Sequence, residues 1–103
     1  MRMMFDEGDY TKLKDGDTYE GKFVIISPIF FNEEYREAKY QLFLAKGGFG
    51  CYPDKLGGKI FGRLFDESIQ TRREYVLGVA TEEAIQNWEK TYNMSRDLFY
   101  VED

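Results

Sequence analysis

The chain has 103 residues, 43% of them hydrophobic and 17% aromatic, so it reads as one folded domain with a thin core and not as a disordered segment. It has no His and one Cys, which removes a Ser-His-Asp triad, a His general base, a His metal ligand, an internal disulfide and a Cys-rich zinc site. Nineteen acids against fourteen bases give a net charge of −5, which argues against bulk phosphate neutralisation and suits a basic partner.

Residues 1–18 read as a loop-rich acidic entry, with a turn at Asp15-Gly16. Met1 to Asp6 turns acidic too early for a signal peptide. Residues 19–79 read as a β-rich body. Within it, 19–27 hold Phe23-Val24-Ile25-Ile26, a β-branched strand buried on both faces and bent or ended at Pro28. The longest apolar run, Phe23 to Phe31, is broken there and falls short of the roughly 20 residues of a membrane span. Glu33 to Ala38 read as one helical turn behind Asn32 as a cap.

Residues 39–46 alternate, with Tyr40, Leu42 and Leu44 on one side and Gln41, Phe43 and Ala45 on the other, which predicts a strand. Lys46 to Gly50 stops it. Residues 59–66 alternate again, Phe61, Arg63 and Phe65 opposite Ile60, Gly62 and Leu64. Residues 67–71 are expected to form a polar turn, and 72–79 a further strand with Tyr75, Leu77 and Val79 on one face. Thr81 is a good N-cap, Glu82 and Glu83 suit a helix start, and Ala84, Ile85, Trp88 and Tyr92 recur at helical spacing. This predicts a helix over 81–93, with 82–92 as its body and Asn93 as its stop. The tail, 94–103, reads as a short strand or a docked extension. Strands first and one helix last predict an α+β fold: a small antiparallel β-sheet or partly closed barrel of four to five strands with one C-terminal amphipathic helix.

The most distinctive stretch is the glycine-rich 47–58. A phosphate-binding Gly-x-x-x-x-Gly-Lys-Ser/Thr loop fails here, because Ile60 follows Gly58-Lys59 and Pro53 occupies the first glycine position. The dinucleotide pattern fits Gly48 and Gly50 but meets Pro53 at its third glycine. The plainer reading is a connection that needs positive backbone angles. The functional reading is a binding loop presenting Phe49, Tyr52 and Asp54. Cys51 has no His to activate it and reads as a small buried residue. The carboxylate clusters lack calcium-loop spacing and read as solvated turns. No catalytic residue, metal ligand or cofactor site is expected, and the chain does not read as an enzyme. Arg72 and Arg73, beside Lys59, Arg63, Phe61 and Tyr75, could make an aromatic and basic face of the kind that binds single strands. The acidic total favours cross-strand pairing of these cations with Asp66, Glu67 and Glu74 instead.

From Tyr35 to Gly62, most closely over Ala45-Lys46-Gly47-Gly48-Phe49-Gly50-Cys51-Tyr52-Pro53-Asp54-Lys55-Leu56-Gly57-Gly58-Lys59-Ile60-Phe61-Gly62, the chain resembles small accessory proteins of Gram-positive conjugative plasmids and phages. The pattern continues weakly over Tyr75 to Ala80. Such proteins include antirestriction factors and inhibitors of CRISPR effector nucleases. The resemblance implies a counter-defence protein that binds the type II effector nuclease or its guide-RNA complex; the acidic balance and the lack of a long apolar run lead to the expectation of no direct duplex DNA binding and no membrane. It carries over no assigned active-site residue. On that expectation Glu33, Glu34 and Glu37 stand in for phosphates in a basic channel, and Tyr35, Phe49 and Tyr52 anchor the contact. A lone Cys51 fits a reducing, cytoplasmic location. The competing classes are a module that sequesters a nucleotide signal with the glycine loop and Arg63, Arg72 and Arg73, an enzyme acting on guide RNA through carboxylates and a metal, and an accessory protein without inhibitory activity.

Overall fold

Phe23, Val24, Ile25 and Ile26 are buried at all four positions because their strand has an apolar layer on each side. In a computed structural model describing residues 5–14, 16–27, 37–52, 54–55 and 57–101, six strands form one antiparallel sheet. They are β1 (Tyr10–Thr11), β2 (Phe23–Ile26), β3 (Leu42–Gly47), β4 (Lys59–Arg63), β5 (Ser68–Arg72) and β6 (Val76–Ala80). Their order across the sheet is β1-β6-β2-β3-β4-β5. The helix α1 (Glu82–Tyr92) follows β6. The fold is therefore α+β, with six strands where four to five were expected. The sheet is open, since β1 and β5 are edges and do not pair with each other.

Side chains alternate across β2 and β3. Phe23, Ile25, Leu42 and Leu44 face α1, where Ala84, Ile85, Trp88 and Phe99 meet them. Val24, Ile26, Phe43 and Ala45 face the other way, with Tyr19, Cys51, Ile60 and Leu64. The helix is set as its sequence predicts. The Thr81 side chain accepts from the Ala84 N–H at 3.1 Å, and Asn93 ends the helix in the left-handed region at φ 52°. Trp88 Nε1 donates to the Lys39 carbonyl at 3.0 Å, which ties α1 to the short 3-10 turn Ala38–Gln41 ahead of β3.

Several expectations are corrected. Residues 67–71 are not a turn: Ser68–Arg72 is a strand, paired along its length with β4. The acidic entry contains β1, which pairs with β6. Leu77 and Val79 do not share a face. A register shift opposite Ile25 and Ile26 adds a residue to β6, so Leu77 packs on the helix side and Val79 on the other. Tyr40 lies in the 3-10 turn, not in the strand, and packs on the face opposite Leu42. The tail is a docked extension, a 3-10 helix at Arg96–Tyr100 that buries Phe99. The turn expected at 33–38 lies, but for Glu37 and Ala38, outside the described residues.

Candidate binding loop and its surroundings

The loop after β3 is braced by glycines where the backbone comes too close for a side chain. Gly48 has φ 109°, and a Cβ there would overlap the Lys59 carbonyl oxygen. A Cβ on Gly50 would stand 2.6 Å from the Gly58 carbonyl oxygen. Gly50 and Gly58 are thus needed for close backbone approach, and positive angles account only for Gly48 and Gly57. Between them Phe49–Cys51 makes one 3-10 turn. Cys51 points inward and is buried. Its carbonyl accepts from Tyr19 N–H at 2.9 Å and from Thr18 Oγ1 at 3.2 Å. Burial pushes the thiol above its ordinary value, with Glu20 adding to the effect. An inward thiol with a raised pKa packs as a core group.

With its inner side fixed, the turn presents its large aromatics outward. Phe49 is 74% exposed and Tyr52 47% exposed. Asp54 is exposed beside them in sequence. Glu37 does not join this group. It precedes the Ala38–Gln41 turn, before β3, whereas Phe49 follows β3. A strand of that length spans about 20 Å. Glu37 is exposed and pairs with Lys39 at 3.3 Å, a contact that raises the Lys39 pKa. Glu33, Glu34 and Tyr35 lie outside the described residues. Of the seven residues expected to bind a partner, the fold therefore brings together Phe49, Tyr52 and Asp54.

The arginines expected to hold a nucleotide are separated. Arg63 pairs across the β4–β5 hairpin with Ser68 at one end, and Arg72 pairs with Lys59 at the other. Arg63 is buried, with Nε donating to the Leu98 carbonyl at 3.3 Å and Nη1 to Ser68 Oγ at 3.4 Å. It fastens the tail to the sheet. Arg73 Nε donates to the Lys55 carbonyl at 3.2 Å and steadies the loop. Tyr75 packs on the face opposite Phe61's side of β4. Among the described residues no ion pair joins Lys59 or Arg72 to Asp66, Glu67 or Glu74.

Among the described residues no group of three or more potential metal ligands gathers, and no helix is long and apolar enough to cross a membrane. Compared with known proteins, the chain matches no family model, no curated sequence and no solved structure.

Proposed function

We propose that this protein is a binding module that inhibits a type II CRISPR effector nuclease, by contacting the nuclease or its guide-RNA complex through the 48–58 loop. The observation that carries the binding reading is the outward display of Phe49 and Tyr52 on a turn whose underside is fixed by Cys51, Gly50 and Gly58. Rigid exposed aromatics supply contact area with little ordering entropy to lose, which is what an interface anchor requires. The choice of partner rests on the sequence resemblance over Ala45 to Gly62. Phosphate mimicry is a weaker part of this reading, because Glu37 is paired with Lys39 and stands away from the loop.

The test is a DNA-cleavage assay with the purified nuclease, adding guide RNA before or after this protein. Inhibition in both orders, with intact guide, supports a blocker of the assembled complex. Inhibition only before loading moves the target to the RNA or to assembly. Full cleavage at large excess of the protein overturns the nuclease as partner.

A further inference from the structure

On the side of the sheet that carries α1, the helix and tail bury side chains of β6, β2 and β3, while β4 and β5 contribute none to that core. The register shows what this leaves uncovered. Lys59 stands directly opposite Arg72, and Phe61 opposite Gln70. Strand alternation puts all four on this one face, since Ile60 packs into the core on the other. Phe61 is 53% exposed, and Lys59 and Arg72 are exposed. Lys46, also exposed, joins Phe61, Ser68 and Gln70 around an open cleft of about 520 Å³.

Two features single this face out. First, three exposed cations share it in a protein of net charge −5, a fourth, Arg63, being buried where the tail crosses, and none of the three has a carboxylate partner among the described residues. One carboxylate, that of Glu20, reaches Gly47 at its margin. Second, Lys59 and Arg72 are like charges at directly paired positions, an arrangement that disfavours the strand pair until an anion lies between them. An exposed ring flanked by unpaired cations on an uncovered sheet face matches the needs of a polynucleotide strand: phosphates for Lys46, Lys59 and Arg72, and a base face for Phe61.

We propose that the open β4–β5 face binds single-stranded nucleic acid, with Phe61 as the stacking platform and Lys46, Lys59 and Arg72 as phosphate contacts. A duplex offers no free base face, so it is excluded from the stacking position. Binding here does not require the nuclease partner proposed above, and failure of one leaves the other standing.

The experiment is fluorescence anisotropy of labelled oligo-rU, oligo-dT and a duplex, each about a dozen nucleotides long, titrated with the full chain. Saturable binding to the single strands is expected. Affinity falls about twentyfold for an about fourfold rise in salt, from three phosphates at a slope of about −0.7 each. Phe61→Ala weakens binding about tenfold. Arg72→Glu weakens it at least about tenfold, while the melting temperature stays level or rises, because Glu then faces Lys59. A preference for oligo-rU or for oligo-dT supports the proposal and separates RNA from DNA as the source, and equal binding of both supports it as a site blind to the sugar. Equal affinity for the duplex, no binding at low salt, insensitivity to Phe61→Ala, or equal competition by oligoglutamate each overturns it.

Discussion

Trp88 Nε1 donates to the carbonyl of Lys39, 49 residues earlier in the chain, at 3.0 Å. The bond fixes α1 against the start of β3, and the indole ring packs edge-on to Phe99 at 5.3 Å between centroids, while Phe99 packs edge-on to Phe23 at 5.1 Å. One residue thus joins helix, sheet and tail. Trp88→Phe keeps an aromatic ring but leaves the buried side of that carbonyl without its donor. A loss of about 1–3 kcal/mol in urea unfolding followed by circular dichroism is expected. Trp88→Ala is expected to lose about 3–5 kcal/mol. As the sole Trp, Trp88 also reports helix docking by its fluorescence in the parent protein.

Glycines of different kinds separate in their response to alanine. A Cβ on Gly62 would overlap the Leu44 carbonyl oxygen and stand 2.5 Å from Phe43 Cζ. Gly21 has φ 79° but open space around it. Gly62→Ala is expected to destabilise by about 2–3 kcal/mol or more through forced movement of β3 and Phe43. Gly21→Ala is expected to lose about 1 kcal/mol, the strain of a left-handed backbone alone. Chemical denaturation of the two variants side by side checks the order.

Arg96 predicts an acid dependence of stability. It donates to Glu82 Oε1 at 2.9 Å and to Glu89 Oε1 at 3.0 Å, and its backbone N–H donates to Glu89 Oε2 at 2.9 Å. The Glu82 carboxyl is held below its ordinary range by the Arg96 side chain, and the Glu89 carboxyl by the Arg96 backbone N–H first and its guanidinium second. A carboxyl lowered in the folded state stabilises fully above its unfolded value of about 4.3 and loses that contribution as pH falls through the folded value. Thermal melts of the parent should therefore drop as pH falls below about 4.3, and the drop should be shallower in Arg96→Ala. Identical pH profiles would show that these pairs carry none of the dependence.

Phe49→Ala and Tyr52→Ala should leave the melting temperature within about 3 °C of the parent, because neither ring lies in the core. The double variant should lose inhibition in the cleavage assay by a factor of about 30 or more, as expected for anchors worth about 2 kcal/mol. Retained inhibition with retained stability removes the 48–58 loop as the contact.

Cys51 predicts slow thiol chemistry. Its side chain is buried and its pKa raised, so reaction with a disulfide reagent should be slow in the native protein and fast in denaturant. A stoichiometric burst in native buffer would show that the loop opens far more readily than its backbone contacts imply.

The elements most legible in the sequence are those whose signals are local. Thr81, Glu82, Glu83 and Asn93 mark both ends of α1 within the helix itself, and Phe23 to Ile26 carry their strand preference in their own side chains. β5 was hidden because Ser68–Arg72 offers only Ile69 as a strand-like apolar residue, and its strand state comes from pairing with β4. The sequence offers a basic and aromatic face around Arg72, Lys59 and Phe61, but without β5 it groups with them Arg63, which is buried, Arg73, which bonds the loop, and Tyr75, which packs on the other face. Lys59 and Phe61 alternate legibly, but placing Arg72 opposite Lys59 requires knowing that 68–72 is a strand. Arg63 looked like a surface cation, and its burial depends on Leu98, 35 residues away. Exposure of Phe49 and Tyr52 was legible from their glycine-rich setting, whereas the distance to Glu37 required knowing that β3 stands between them.

The place of β6 between β1 and β2 shapes how the chain reaches its native state. β1 has β6 as its pairing partner, and β2 keeps one edge open until Val76–Ala80 arrives. During synthesis, residues through Ala80 must leave the ribosome before β1 and β2 gain the strand between them. The strand that completes the sheet leads straight into the helix that roofs it, so completion and roofing are joined in one late event. An early stop in translation therefore yields an unfinished sheet with a bare apolar edge, the kind of fragment that proteases and chaperones recognise.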